Sequence, residues 1–248
     1  MPLPLTIGTG RVLLGSPPTY AQRISALFGS SMIGYWRQAE PSGTVAIDSS
    51  GNNRNGTYTG VTLGAAGIGD GSTAASFDGT TSFNNVYSAP LAGAFNGAAG
   101  TVAGWCKASG AGIWTDGLVH RVAHFRVDAN NNASIYKTTT NNTLTYDYIA
   151  GGTTKTVSST AGGGNTSWFF LALTWSVAAN AMMAYYNGAQ VGTTQTGLGT
   201  WAGSLLSTAT VLGSQNTGPA QVWSGSLAHA ILLNRAATAA EVAQAYIV

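Results

Sequence analysis

The sequence predicts an all-β protein, a two-sheet antiparallel sandwich of jelly-roll type with a short helix near each terminus. Three observations carry that expectation. Strand-length runs recur along most of the chain, each stopped by Gly, Asn or Pro. Helical patterns occur only near the two ends, and no strand–helix alternation of the kind that builds parallel sheets interrupts the strands. A chain of 248 residues suits one large sandwich, so one domain is expected over residues 19–248, preceded over residues 1–18 by an extended arm punctuated by Pro and Gly.

The elements follow in order. TYAQRISALFGS places Thr19 as an N-cap ahead of Ile24, Leu27 and Phe28, with Gly29 after the last turn, the pattern of a short amphipathic helix. MIGYWRQA then reads as an alternating strand that stops at Pro41. Turn clusters DSSGNNRNG and GIGDG alternate with the strands TYTGVTL and AASF. GTVAGWCKAS, GLVHRVAHFRVD and ASIYKTTT come next, broken by Gly or by the turn at Asn130, Asn131 and Asn132. LTYDYIAGGTTKTVSS reads as a hairpin about Gly151 and Gly152. MMAYYNGAQVGTT is a firmer one, because Asn187 and Gly188 supply the two positive-φ residues of a type I′ turn. WFFLALTW is apolar throughout and of strand length, which fits a central strand. TATVLGSQ and QVWSGSLAHAILLN supply the last strands. In TAAEVAQAY, Thr238 and Glu241 have capping-box spacing ahead of a short C-terminal helix.

Hydrophobic residues make up 44% of the chain and charged ones 7%, against a usual charged share of roughly 25%. The surface is therefore built from Gly, Ser, Thr, Asn, Gln and Ala. With 7 Trp, 10 Tyr and 7 Phe to fill a core, the composition is not that of a disordered chain. The net charge of +2 comes from scattered residues without a basic run, which argues against nucleic acid as a partner. No apolar run approaches a membrane span and no secretory leader is evident, so no membrane partner is expected. Cys106 is the single cysteine, which rules out an intrachain disulfide and reads as a buried thiol.

The order of these pieces resembles a known family. YWRQAEPSG, AIDSSGNNRNGTYTGVTLG and AASFDGT are similar to the opening of laminin-G-like, concanavalin-A-like jelly-roll domains. WFFLALTWS, AYYNGAQVG and WSGSLAHAILLNRAATAAEV are similar to their later strands and terminal helix. The resemblance covers residues 19–248. It implies two antiparallel sheets packed face to face, with one concave face and its rim loops available for ligands. Adhesion modules, carbohydrate binders, domains of secreted enzymes and bacteriophage virion proteins all belong to the family, so fold alone does not choose among them.

Catalysis finds little footing. Related glycosidases carry Glu-x-Asp-x-x-Glu on one strand, whereas this chain has two glutamates, Glu40 and Glu241, neither in such a motif. No nucleophile elbow, phosphate loop or zinc-binding His-Glu-x-x-His is present, and the protein is expected not to be an enzyme. Asp48, Asn53 and Asp78 fall on turns where a structural calcium ion would find hard oxygen ligands; the alternative is that each carboxylate caps its own turn. No other cofactor is expected. His120 and His124, four apart in a strand, are expected on one face with Arg126 beyond, as the start of a metal site or as rim hydrogen-bonding groups. Trp114 and Trp201 lie in loops, where an exposed indole would stack on a sugar or anchor in a partner; the alternative is a ring folded back over the sandwich edge.

Two functional expectations result. The first is a non-enzymatic structural or decoration protein of a bacteriophage virion. It would assemble in the host cytoplasm, lie on the particle exterior, and contact other virion proteins or further copies of itself through residues 1–30 and exposed loops. The second is a carbohydrate-binding or adhesion module, for example on a tail fibre, holding host glycans through Trp114, Trp201, His120, His124 and Asn or Asp side chains of the loops.

Overall fold

A computed structural model describes residues 16–248; residues 1–15 of the expected N-terminal arm lie outside the described part. The elements are α1 (Tyr20–Phe28), β1 (Met32–Trp36), β2 (Val45–Ala46), β3 (Gly56–Thr59), β4 (Thr62–Ala66), β5 (Thr73–Asp78), β6 (Phe83–Asn85), α2 (Ala89–Ala94), β7 (Ala99–Ala108), β8 (His120–Asp128), β9 (Asn131–Lys137), β10 (Leu144–Ala150), β11 (Thr153–Ser159), β12 (Phe169–Ser176), β13 (Ala181–Tyr186), β14 (Ala189–Gln195), β15 (Thr210–Leu212), β16 (Ser224–Leu233) and α3 (Ala239–Tyr246).

Among the described residues the strands form two eight-stranded antiparallel sheets, the expected jelly-roll sandwich. The first runs β14, β13, β12, β7, β16, β5, β4; its eighth strand, β1, also pairs with β16. β16 is long enough to serve two neighbours on one edge, β5 along Ser224–Leu227 and β1 along Ala230–Leu233. The second sheet runs β11, β10, β9, β8, β15, β6, β3, β2.

The first sheet is covered on both faces. Phe169, Leu171, Leu173 and Trp175 of β12 point into the core between the sheets, while Phe170 and Ala172 point the other way, into a second cluster under the terminal helices. A strand with two dry faces has no polar alternation, which accounts for the run WFFLALTW. The same reason corrects the reading of β1, expected to alternate but buried at all five positions.

α1 and α3 supply the outer layer. Each opens with a capping box, Thr19 with Gln22 and Thr238 with Glu241, and each turns its apolar stripe inward through Ile24, Phe28, Val242 and Ala245. The Tyr20 hydroxyl donates to the Ala245 carbonyl (2.7 Å) and accepts from Trp105 Nε1 (2.8 Å), which ties both helices to β7. α2, a six-residue helix capped by Ser88, has no counterpart among the expected elements. Asn187 (φ 49°) and Gly188 (φ 80°) make the expected hairpin turn. Cys106 is fully buried, and burial pushes its thiol well above the ordinary range. Among the described residues no helix is long and apolar enough to cross a membrane.

Candidate functional site

With the helices on the first sheet, the outer face of the second is where polar side chains gather. Residues paired in register share a face, so three rows cross β8, β9, β10 and β11: Arg121, Tyr136, Thr145, Ser158; His124, Ser134, Asp147, Thr156; and Arg126, Asn132, Ile149, Thr154. The intervening residues Phe125, Ala133, Ile135, Tyr146 and Tyr148 fill the core.

The rows are bound together. The Arg121 guanidinium lies 4.6 Å above the Tyr136 ring, and its Nε donates to Gln221 Oε1 (2.7 Å). Tyr136 donates to Asp147 Oδ2 (2.7 Å), and Thr156 donates to Oδ1 (2.6 Å). Burial raises the Tyr136 pKa and Asp147 adds to the rise, so this hydroxyl stays a donor. His124 is buried with Nδ1 2.7 Å from the Gln215 carbonyl. Burial, then the Arg121 charge, lowers its pKa to about 3, so the ring is neutral near pH 7 and Nδ1 carries the donated proton. Arg126 is fixed through its backbone, which bonds Ala209 and Leu206, while its Nε and the Ser134 hydroxyl oxygen are buried without a hydrogen-bond partner.

Ser, His and Asp occupy one row, yet no nucleophilic relay assembles. Ser134 stands between the other two and bonds neither, and both Asp147 oxygens are taken by Tyr136 and Thr156. The two glutamates serve structure elsewhere. Glu40 accepts from the Ile47 amide and the Tyr58 hydroxyl, and Glu241 caps α3 and pairs with Arg235.

The residues singled out from the sequence do not converge. Trp114 is fully buried in a short 3-10 turn, its Nε1 donating to the Asn165 carbonyl (2.9 Å), so it is no exposed anchor. Trp201 is half-buried over the sandwich edge, against Phe95 (5.4 Å) and Tyr148 (5.9 Å), on Gly97, where any Cβ would overlap the indole. A β-bulge between Arg121 and Ala123 breaks the expected pairing of the histidines. His120 falls in the row of Lys137 and core residue Leu144, while His124 faces out. Both His120 nitrogens are engaged, at 2.6 Å from the Val222 carbonyl and from Asp116, whose other oxygen holds buried Lys137 at 2.7 Å.

At the expected calcium positions the carboxylates cap turns. Asp48 accepts from the backbone amides of Tyr35, Ser50 and Arg54 at 2.9–3.0 Å. Asn53 is exposed in that turn at φ 57°. Asp78 accepts from the amides of Thr80, Thr81 and Ser82; burial opposes its ionisation, but hydrogen bonds led by the Thr81 hydroxyl outweigh that and hold it well below the usual carboxylate range. Among the described residues no group of three or more His, Cys, Asp or Glu is placed to hold a metal.

A second polar cluster escaped the sequence reading. His229 is fully buried in a bulge of β16 at φ 52°, with Nδ1 2.7 Å from the Tyr35 hydroxyl and Nε2 3.0 Å from Asp70. Burial lowers its pKa against the pull of Asp70, leaving a neutral ring that accepts from Tyr35 and donates to Asp70. Tyr20 of α1 packs edge-on at 4.6 Å. Closed in by the helix layer, the chain of bonds ties β1, β16 and the turn before β5 together. The roles of Arg121, Tyr136 and Asp147 were also missed; the signal was the alternation within SIYK and TYDY, which the bulge in β8 interrupts beside Arg121.

The family model for the concanavalin A-like lectin/glucanases superfamily matches residues 78–243. No curated protein matches the chain. Among solved structures it is similar to the botulinum neurotoxin serotype D ligand-binding domain in complex with N-acetylneuraminic acid, with 12% identity and a TM-score of 0.64, over 90% of this chain and 52% of that one. It is also similar to a structure of botulinum neurotoxin type C, a toxin whose cell entry depends upon two ganglioside molecules, with 14% identity and a TM-score of 0.63, over 90% and 52%. The serotype D binding domain alone gives 13% identity and 0.61, over 87% and 51%. At these identities the likeness is one of fold, and the chain spans about half the length of those structures. The length of the family match, together with the two-sheet topology, makes the chain a member of the concanavalin A-like lectin/glucanases superfamily.

Proposed function

We propose that the protein is a non-enzymatic carbohydrate-binding module that holds a glycan on the outer face of its second sheet. The observation that carries this is the three-row polar face over β8–β11, which the helix layer leaves free while it closes the outer face of the first sheet. Hydroxyls, amides, a carboxylate and two guanidiniums on rigid strands are the groups that read sugar hydroxyls. Relatives of the same fold that bind N-acetylneuraminic acid or interact with gangliosides add support. The virion-component reading takes second place because no relative speaks for it.

A glycan array probed with the wild-type protein and with Asp147→Ala and Thr156→Trp tests the proposal. Glycan binding that both substitutions weaken at least tenfold, and that Gln244→Ala on exposed α3 leaves intact, is expected. Absence of any bound glycan, or binding indifferent to the two face substitutions, overturns it.

A further inference from the structure

The outer face of the second sheet offers charge where a surface built for stacking would offer a bare ring. Trp114 and Trp201 pack into the sandwich, and the Tyr136 ring lies beneath the Arg121 guanidinium. Among the described residues the one exposed large aromatic, Tyr246, stacks on Trp105 at the far side of the molecule. A sugar on this face therefore meets guanidinium and hydroxyl groups without an aromatic platform.

The outer N–H groups of both guanidiniums lack protein acceptors. Arg121 is steered by Gln221 and Tyr136, which leaves its Nη atoms without a hydrogen bond to protein, and the Arg126 side chain makes none. Among the described residues the ion pairs lie elsewhere, Asp116 with His120 and Lys137, Asp70 with His229, and Glu241 with Arg235. Asp147, the carboxylate in the three rows, already serves Tyr136 and Thr156. His124 sits between the two arginines along β8 and is neutral. The rows thus hold two cations against one engaged anion, in a chain with 10 basic residues in all. Guanidinium N–H groups that reach solvent and find no protein acceptor are matched best by a planar anion that takes them in pairs.

Resting on the glycan-binding reading, we infer that the ligand carries a carboxylate, as uronic and sialic acids do. That carboxylate sits on Arg121 and Arg126 while the sugar hydroxyls meet Asp147 and Thr156.

The test is calorimetric titration with matched pairs: oligogalacturonate against its carboxyl-reduced form, and sialyllactose against lactose, with a heparin oligosaccharide as the sulfated arm. Wild-type protein, Arg121→Gln, Arg126→Gln and Arg121→Lys are compared, with thermal melts to confirm folding. At least one carboxylated member should bind tenfold or more tighter than its neutral partner. Either glutamine variant should erase that difference, and Arg121→Lys, which keeps the charge without the fork, should restore part of it. Should the glutamine variants fail to fold, salt decides with wild type alone: between about 0.05 and 0.5 M, binding of the acidic member should weaken and that of its neutral partner should not. Equal affinity within both pairs overturns the carboxylate inference and leaves the glycan-binding reading standing, as does binding of the sulfated sugar alone. No binding in any arm overturns both.

Discussion

Asp48 shows how little of a carboxylate is left once a turn has used it. Its two oxygens take three backbone amides, and its side chain is buried. Asp48→Ala strands those three amides, one buried and two part-buried, and at the low end of about 1–3 kcal/mol per unsatisfied group the loss should be about 3 kcal/mol in urea unfolding. Calcium or a chelator should leave the wild-type melting temperature where it is. The cap was legible because Asp beside Ser and Gly has one local job. The histidines were not, because a single bulge residue after Arg121 inverts the facing of the side chains from Ala123 to Arg126. His124 thus faces outward, where it is buried against the Gln215 carbonyl, and that burial sets the pH response. Unfolded His124 binds a proton below its ordinary value of 6.5, the folded form only near 3, and His229 is shifted in the same direction. Stability should thus be level above about pH 6.5, fall as pH drops towards 3, and fall further as aspartates such as Asp116, held at about 2, take up protons. Urea midpoints measured against pH should show this slope, and His124→Asn should reduce it between pH 6.5 and 3, leaving the part that His229 contributes.

The terminal helices and hairpins were readable because their signals are local. Thr238 with Glu241 and Thr19 with Gln22 close capping boxes, and Asn187-Gly188 fixes a turn without help from distant residues. Thr238→Ala should cost about 1 kcal/mol of stability, and Thr238→Ser should recover most of it in the same denaturation assay. Elements set by tertiary contact were less readable. α2 spans six residues with Pro in its first turn and Gly inside, too short a pattern to count as a helix in sequence. Trp114 and Trp201 sit in segments with loop composition, but the indoles fold onto Phe169, Phe95 and Tyr148 from other elements. The candidate face was hidden for a related reason. Arg121, Tyr136, Asp147 and Thr156 come from four strands, and only strand order and register bring them together.

At the scale of the whole molecule the layering is unequal: helices, first sheet, core, second sheet, then a polar face that no helix covers, on which His124, Asn132, Ser134 and Thr145 are buried and Thr154, Thr156 and Ser158 exposed. The central strands of the first sheet lie between two apolar clusters. β7 sends Val102 and Cys106 one way and Ala103 and Trp105 the other, and β12 divides its apolar residues likewise. The second sheet has one such cluster beneath it, and its edge strand β11 alternates buried Val157 with exposed Thr154, Thr156 and Ser158. Amide exchange follows the opening that exposes a hydrogen bond, and a strand held on both faces opens only when both layers part. Hydrogen exchange read by mass spectrometry should therefore be slowest over Ala99–Ala108 and Phe169–Ser176, and faster over Thr153–Ser159. Glycan bound on the outer face should slow exchange in β8 to β11 and leave β7 and β12 unchanged. Slowing confined to the helix layer would instead place the ligand on the opposite side of the sandwich.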